Sequence, residues 1–155
     1  MPGACEGRVA LVTGASRGGT GTSLALRLAA EGAAVAITAR NEAGLAKCRD
    51  RIEDVGGKAL VLPCDLANAD GGRRELIARV ESALGPVDIL VNNAAVGLYQ
   101  PFDTMTREDL VSSQELNVWA PWELMQQVIS GMRERRRGWI LNLTTSVAEL
   151  PPGPP

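Results

Sequence analysis

The run Thr13-Gly14-Ala15-Ser16-Arg17-Gly18-Gly19-Thr20-Gly21 places four glycines within eight positions, directly after the apolar Val9-Ala10-Leu11-Val12 and directly before a helical pattern. Glycine lets a backbone turn sharply, with φ above zero where needed, and lets an anion approach without a Cβ in the way. The N–H groups of the helix's first turn then face that anion, helped by the positive end of the helix dipole. Strand, glycine loop and helix N-terminus in that order predict a phosphate-bearing ligand, with an ordinary glycine-rich turn as the alternative. A second feature lies at Asn117, four residues before Pro121. Proline has no N–H, so within a helix the carbonyl of residue 117 loses its usual partner and the axis kinks. A carbonyl freed in this way can bind water, or the kink can be structural only.

The elements that must position these residues alternate along the chain. Strand one is predicted at about residues 8–13 and helix one at about Thr22 to Glu31, with Leu24 and Leu28 on one face and Gly32 as its stop. Strand two is Val35-Ala36-Ile37-Thr38. Helix two runs from Glu42 to about Val55, burying Leu45, Cys48 and Ile52 before Gly56-Gly57. Strand three is Ala59-Leu60-Val61-Leu62, helix three spans roughly 70–84, and strand four is Val87-Asp88-Ile89-Leu90-Val91 after Gly85-Pro86. Arg107 to Arg133 is mostly helical, and Gly138 to Leu143 is strand five. Strands joined by helical crossovers imply a parallel sheet with helices on both faces, and near-continuous apolar strands agree. Ligands in such a sheet sit beyond the carboxyl ends of the strands, where all the unusual stretches fall.

The 155 residues suit one domain, with 45% hydrophobic and 22% charged content. A net charge of −2 leaves no basic excess for a phosphate backbone, so no nucleic-acid partner is expected. The run Arg133, Arg135, Arg136, Arg137 is broken by Glu134 and reads as a solvated helix end. Three cysteines, Cys5, Cys48 and Cys64, leave one unpaired under any disulfide scheme, and without histidine no metal site is expected. A reduced cytoplasmic setting and no membrane partner are the expectation.

Three ordered motifs carry a resemblance. Thr13-Gly14-Ala15-Ser16-Arg17-Gly18 resembles the opening of a T-G-x-x-x-G-x-G loop, and Asn92-Asn93-Ala94-Ala95 resembles an N-N-A-G stretch after strand four. Asn117 lies on the helix that carries a functional asparagine in the same family, the short-chain dehydrogenases/reductases. The resemblance spans the chain and implies an α/β, Rossmann-type doubly wound parallel sheet with a nicotinamide cofactor. The loop departs from the pattern, since Thr20 stands where the last glycine would fall and Gly21 follows, as if one residue were inserted. Gly14, Ser16, Arg17 and Gly18 are therefore expected at the diphosphate ahead of Gly21.

Asp65, followed by Leu66, resembles the family's aspartate beside the adenine ring; a turn or N-cap aspartate is the alternative. Asn93, Ala94 and Ala95, with Asn92, resemble the segment lining the adenosine. Charge argues for which nicotinamide cofactor binds. An acidic side chain after strand two would accept hydrogen bonds from a ribose 2′-hydroxyl, but Ala39 and Arg40 stand there, with a second cation at Arg17. Arginine's planar fork suits phosphate oxygens, so NADP(H) is preferred over NAD(H), the alternative being two surface cations. For Asn117 the resemblance implies a backbone carbonyl holding a water in a proton relay. Thr145 falls where the family has a serine that contacts the substrate carbonyl or hydroxyl, with Ser146 immediately behind.

The family's Tyr-x-x-x-Lys proton-transfer pair is missing: Tyr99 is the one tyrosine, Asp103 lies four residues on, and the lysines are Lys47 and Lys58. The expectation is a single dinucleotide-binding domain over 1–155, incomplete at its C-terminus and truncated after strand five, from an NADP(H)-dependent oxidoreductase acting on a small carbonyl or alcohol. By itself this chain is expected to be inactive. The alternative is a non-catalytic dinucleotide-binding or interaction module, while another Rossmann enzyme such as a methyltransferase would share the fold but not the Asn92 and Asn117 stretches. Trp119 and Trp122 are expected either in the core or against another subunit of a homo-oligomer, as the equivalent helix often is in this family.

Overall fold

A computed structural model describes residues 3–70 and 72–144. Five strands, β1 (Val9–Thr13), β2 (Ala34–Thr38), β3 (Lys58–Val61), β4 (Ile89–Asn92) and β5 (Trp139–Asn142), form one parallel sheet in the order β3-β2-β1-β4-β5. Between them run α1 (Thr20–Ala30), α2 (Glu42–Asp54), α3 (Leu76–Leu84), α4 (Arg107–Gln114) and α5 (Ala120–Glu134). The doubly wound α/β architecture read from the sequence is the one observed.

Side-chain alternation along the strands splits the core into two layers. Leu11, Ala36 and Leu90, which share a register, pack with Leu76, Ile77 and Val80 of α3 and Leu124, Val128 and Met132 of α5. Ala10, Val12, Val35, Ile37, Ile89 and Val91 pack on the opposite layer, against Ala25 and Ala29 of α1 and Leu45, Cys48 and Ile52 of α2. All five residues of β1 are buried, which explains why Val9 to Val12 form a continuous apolar run rather than an alternating one, closed by the hydrogen-bonded Thr13. Burying β1 on both sides holds the loop that follows it at the centre of the sheet's carboxyl edge.

Several boundaries differ from the sequence reading for local reasons. Helix α1 starts at Thr20, two residues early, with Gly19 as its N-cap. The helix expected over 70–84 begins only at Leu76, because Gly72 adopts φ 93 and a 3₁₀ turn, Arg73–Glu75, intervenes. The long helical segment is interrupted by a π turn at Glu115–Trp119, where the Ala120 N–H reaches back five residues to the Glu115 carbonyl. Pro121 sits in the first turn of α5, where a missing N–H costs least, so the chain meets the proline with a π turn rather than a simple kink.

Helices α2 and α4 are capped by side chains. Asn41 Oδ1 accepts from the Gly44 N–H at 2.9 Å, and Thr106 and Asp109 form a reciprocal capping box. The backbone N–H of Thr106, then its hydroxyl, then Gln100 hold the Asp109 carboxyl below its ordinary range.

The arginine run after α5 is not simply solvated. Arg137 forks onto Asp88, Nε to Oδ1 at 2.9 Å and Nη2 to Oδ2 at 3.1 Å, and Asp88 is 1% exposed and also accepts from the Val9 N–H. Arg135 Nη2 donates to the Val87 carbonyl at 2.9 Å. These two arginines tie the entry of β4 to the end of α5, Arg135 half-buried and Arg137 reaching the buried Asp88 from the surface. A buried carboxylate needs such a partner, which is why the run carries more than solubility. Trp119 and Trp122 are not core residues: they meet edge to face at 5.8 Å on the surface of the chain and are each nearly half exposed.

Candidate functional site

The carboxyl ends of β1 to β4 open into a cleft of about 530 Å³. Its floor is the loop between β1 and α1. Gly14 has φ 73, and a Cβ there would lie 2.8 Å from Asn93 Nδ2 and 2.9 Å from Ala94 Cα, so only glycine fits. A Cβ at Gly21 would collide with Asn93 Nδ2 and lie 2.7 Å from the Gly14 carbonyl oxygen. Gly21 is thus the residue that lets the first turn of α1 close against the loop. Gly18 also has φ 73, and Cβ atoms at Gly18 and Gly19 would meet nothing within 4 Å.

Hydrogen bonds fix this loop from behind. Thr22, 3% exposed, donates through Oγ1 to the Ala15 carbonyl and accepts there from the Gly18 N–H. Thr13 Oγ1 donates to the Val91 carbonyl and accepts from the N–H groups of Asn93 and Ala94, both at 3.0 Å. Asn93 Nδ2 donates to the carbonyls of Thr13, at 2.8 Å, and Gly14, at 3.2 Å. The ends of β1 and β4 are therefore one unit. Asn92 instead bonds Asn142 across the sheet.

Unlike α2 and α4, α1 has no side-chain cap and no acidic residue in its first turn. Its leading N–H groups are left to solvent or to an anion, and the chemistry of this end of the cleft suits a phosphate. Ser16, Arg17 and Thr20 line the same end, and Arg40 and Asn41 follow from the loop after β2. Arg17 and Arg40 are exposed and join no ion pair among the described residues. They give the rim two cations.

The loop after β3 supplies Cys64, Asp65 and Leu66, and β4 is followed by Asn93, Ala94 and Ala95. Asp65 Oδ1 accepts from the Ala67 N–H at 3.1 Å, so it is a turn aspartate and a cleft residue at once. Burial, then the neighbouring Asp65 carboxylate, pushes the Cys64 thiol up. No group of three metal-binding side chains occurs among the described residues, and no helix there is long and apolar enough to cross a membrane.

The structure thus brings Gly14, Ser16, Arg17, Gly21, Arg40, Asp65, Leu66, Asn93, Ala94 and Ala95 to one cleft. Gly18 does not line it; its neighbour Gly19 does. Asn117 lies on the π turn, with Oδ1 accepting from the Val96 N–H at 3.0 Å and Nδ2 donating to the Val96 carbonyl at 2.8 Å. Its amide is committed to the segment after β4, which leaves the main chain for any role with water. Thr145 and Ser146 lie outside the described residues. Sequence reasoning missed Thr22, Asn41 and Leu116; only Asn41, an asparagine just before a helical pattern, carried a readable cap signal.

Comparison with known proteins agrees with this geometry. A family model described as short chain dehydrogenase matches residues 8–154. A short chain dehydrogenase of Pseudocercospora fijiensis is 38% identical over 152 residues, covering 96% of this chain and 48% of that protein. The 7alpha-hydroxysteroid dehydrogenase of Escherichia coli K12 is 37% identical, covering 93% of this chain and 55% of its own length. Among solved structures, a metagenomic short-chain oxidoreductase in complex with NADP superposes with a TM-score of 0.88 at 35% identity, covering 95% of this chain and 66% of its own. A 3-oxoacyl (acyl-carrier-protein) reductase from Agrobacterium tumefaciens with NADP bound gives 0.82 at 35% identity, covering 89% of this chain and 52% of its own. The chain spans about half the length of the curated relatives it matches.

Proposed function

The chain belongs to the short-chain dehydrogenase family, and from that premise we propose that it is the cofactor-binding part of an NADP(H)-dependent oxidoreductase acting on a carbonyl or alcohol. When bound, the nicotinamide supplies or accepts the hydride. The observation that carries the cofactor choice is the rim after β2, where Ala39-Arg40-Asn41 offers no carboxylate and Arg17 stands across the loop boundary as a second cation. A 2′-phosphate is attracted there, whereas a 2′-hydroxyl finds no acidic acceptor at these positions. The uncapped first turn of α1, with Gly14, Ser16, Gly19 and Gly21, takes the diphosphate. Asp65 and Leu66 on one side and Asn93 to Ala95 on the other hold the adenosine.

On the reacting side, Thr145 or Ser146 hydrogen-bonds the substrate oxygen, and the Asn117 carbonyl, unable to receive an N–H from Pro121, holds a water for the proton relay. These 155 residues contain no Tyr-x-x-x-Lys, so no proton donor of that pattern is assigned among them. The exposed Trp119 and Trp122 face meets a second copy, giving a cytoplasmic homo-oligomer. The chain with NADPH and a panel of small carbonyls separates the readings: saturable binding without loss of the reduced nicotinamide absorbance is expected. Turnover by these residues alone contradicts the need for the missing pair.

A further inference from the structure

Among the described residues Arg73 is the largest side chain buried below 2% exposure, and nothing in the sequence marked it. It opens the 3₁₀ turn before α3, where Gly72 at φ 93 turns the chain inward. Its Nε and Nη2 fork onto Glu123 of α5, at 2.9 and 3.0 Å. The third nitrogen goes elsewhere: Nη1 donates to the Leu66 carbonyl at 2.6 Å and to Glu115 Oε2 at 3.0 Å. Leu66 lines the cleft from the loop after β3, and Leu116, next to Glu115, lines it from the π turn. One nitrogen therefore holds the main chain of one cleft wall and the flank of another.

An ion pair in the core is weak evidence of added stability, because the desolvation of the charges offsets much of their attraction. A well-packed apolar side chain would join α3 to α5 without that cost. What an apolar residue cannot supply is a directional link from Leu66 to the π turn. Lysine would not replace it, since a single ammonium cannot make the fork to Glu123 and reach both wall partners from a separate nitrogen. From this geometry we propose that Arg73 is a positioning residue that sets the separation of the Leu66 and Leu116 walls and thereby the fit of the adenosine half of the cofactor. The inference rests on the NADP(H) reading of the cleft.

The test measures the Kd of 2′,5′-ADP, the adenosine half alone, for the wild-type chain and for Arg73→Met, Arg73→Lys, Glu123→Gln and Leu116→Ala. Arg73→Met and Arg73→Lys are expected to weaken 2′,5′-ADP about tenfold, whereas Glu123→Gln, which loosens the fork but not the walls, changes it by less than about twofold at a comparable loss of Tm. In a Leu116→Ala background, where one wall is already gone, Arg73→Met is expected to cost less than about threefold, the non-additivity of two residues acting through the same wall. If Arg73→Met does not fold, Glu115→Ala, whose carboxylate is at the surface side of the network, is expected to weaken 2′,5′-ADP at least about threefold. Equal losses in Glu123→Gln and the Arg73 variants, additivity with Leu116→Ala, or an unchanged Glu115→Ala overturn the proposal. A wild-type chain that does not bind 2′,5′-ADP removes the cofactor reading, and this inference with it.

Discussion

Gly21→Val is expected to weaken NADPH binding by at least about 100-fold and to lower Tm at the same time. The side chain would enter space held by Asn93 Nδ2 and, 2.7 Å from the new Cβ, by the Gly14 carbonyl oxygen. Neither can retreat cheaply: Asn93 Nδ2 is bonded to the carbonyls of Thr13 and Gly14, and Gly14 is itself fixed at φ 73 against Ala94. The first turn of α1 must move off the loop, which costs about 1–3 kcal/mol for overpacking and displaces the N–H groups that face the diphosphate. Gly19→Ala is the milder comparison: a Cβ there meets nothing within 4 Å, and a poorer N-cap costs about 1 kcal/mol, so Tm falls less than in Gly21→Val. Calorimetric titration and thermal unfolding of both variants check this. Tight NADPH binding by Gly21→Val would place the phosphate somewhere other than this loop.

The second large effect is on cofactor choice. Arg17→Glu with Arg40→Glu is expected to lower the NADPH-to-NADH affinity ratio by about 10²–10⁴, from roughly 1.5–3 kcal/mol for each hydrogen bond to a charged phosphate. Both arginines are exposed and unpaired among the described residues, so replacing them disturbs little of the fold. NADH affinity should fall much less than NADPH affinity, its loss coming from the negative charge added near the diphosphate that both cofactors share. A variant that loses both cofactors equally would mean that the arginines act on the diphosphate and not on the 2′-phosphate. Competition binding with the two reduced cofactors distinguishes the outcomes.

What could be read from the sequence follows the range of the forces involved. The five strands and their helical partners were legible because β1, β2 and β4 sit under cover on both faces and are written as apolar runs, and because Gly32, Gly56-Gly57 and Gly85-Pro86 punctuate them. The cleft residues were legible because they are loop residues of unusual type at strand ends. The start of α3 was not, since Gly72 acts through a positive φ that a helical hydrophobic pattern over Leu76 to Leu84 does not reveal. The π turn was foreshadowed by Pro121 only as a kink. Arg73, Arg135 and Arg137 were beyond reach because their partners Leu66, Val87, Asp88, Glu115 and Glu123 lie 7 to 50 residues away along the chain. An arginine on a surface and one in a core look alike until the topology brings its carboxylates to it.

The most direct measurement is calorimetric titration of the wild-type chain with NADPH and with NADH under the same conditions. The account predicts saturable binding of NADPH at one site, with affinity at least about tenfold above that of NADH, since the extra phosphate meets two cations. NADH binding as tightly as NADPH, or neither binding at all, contradicts it.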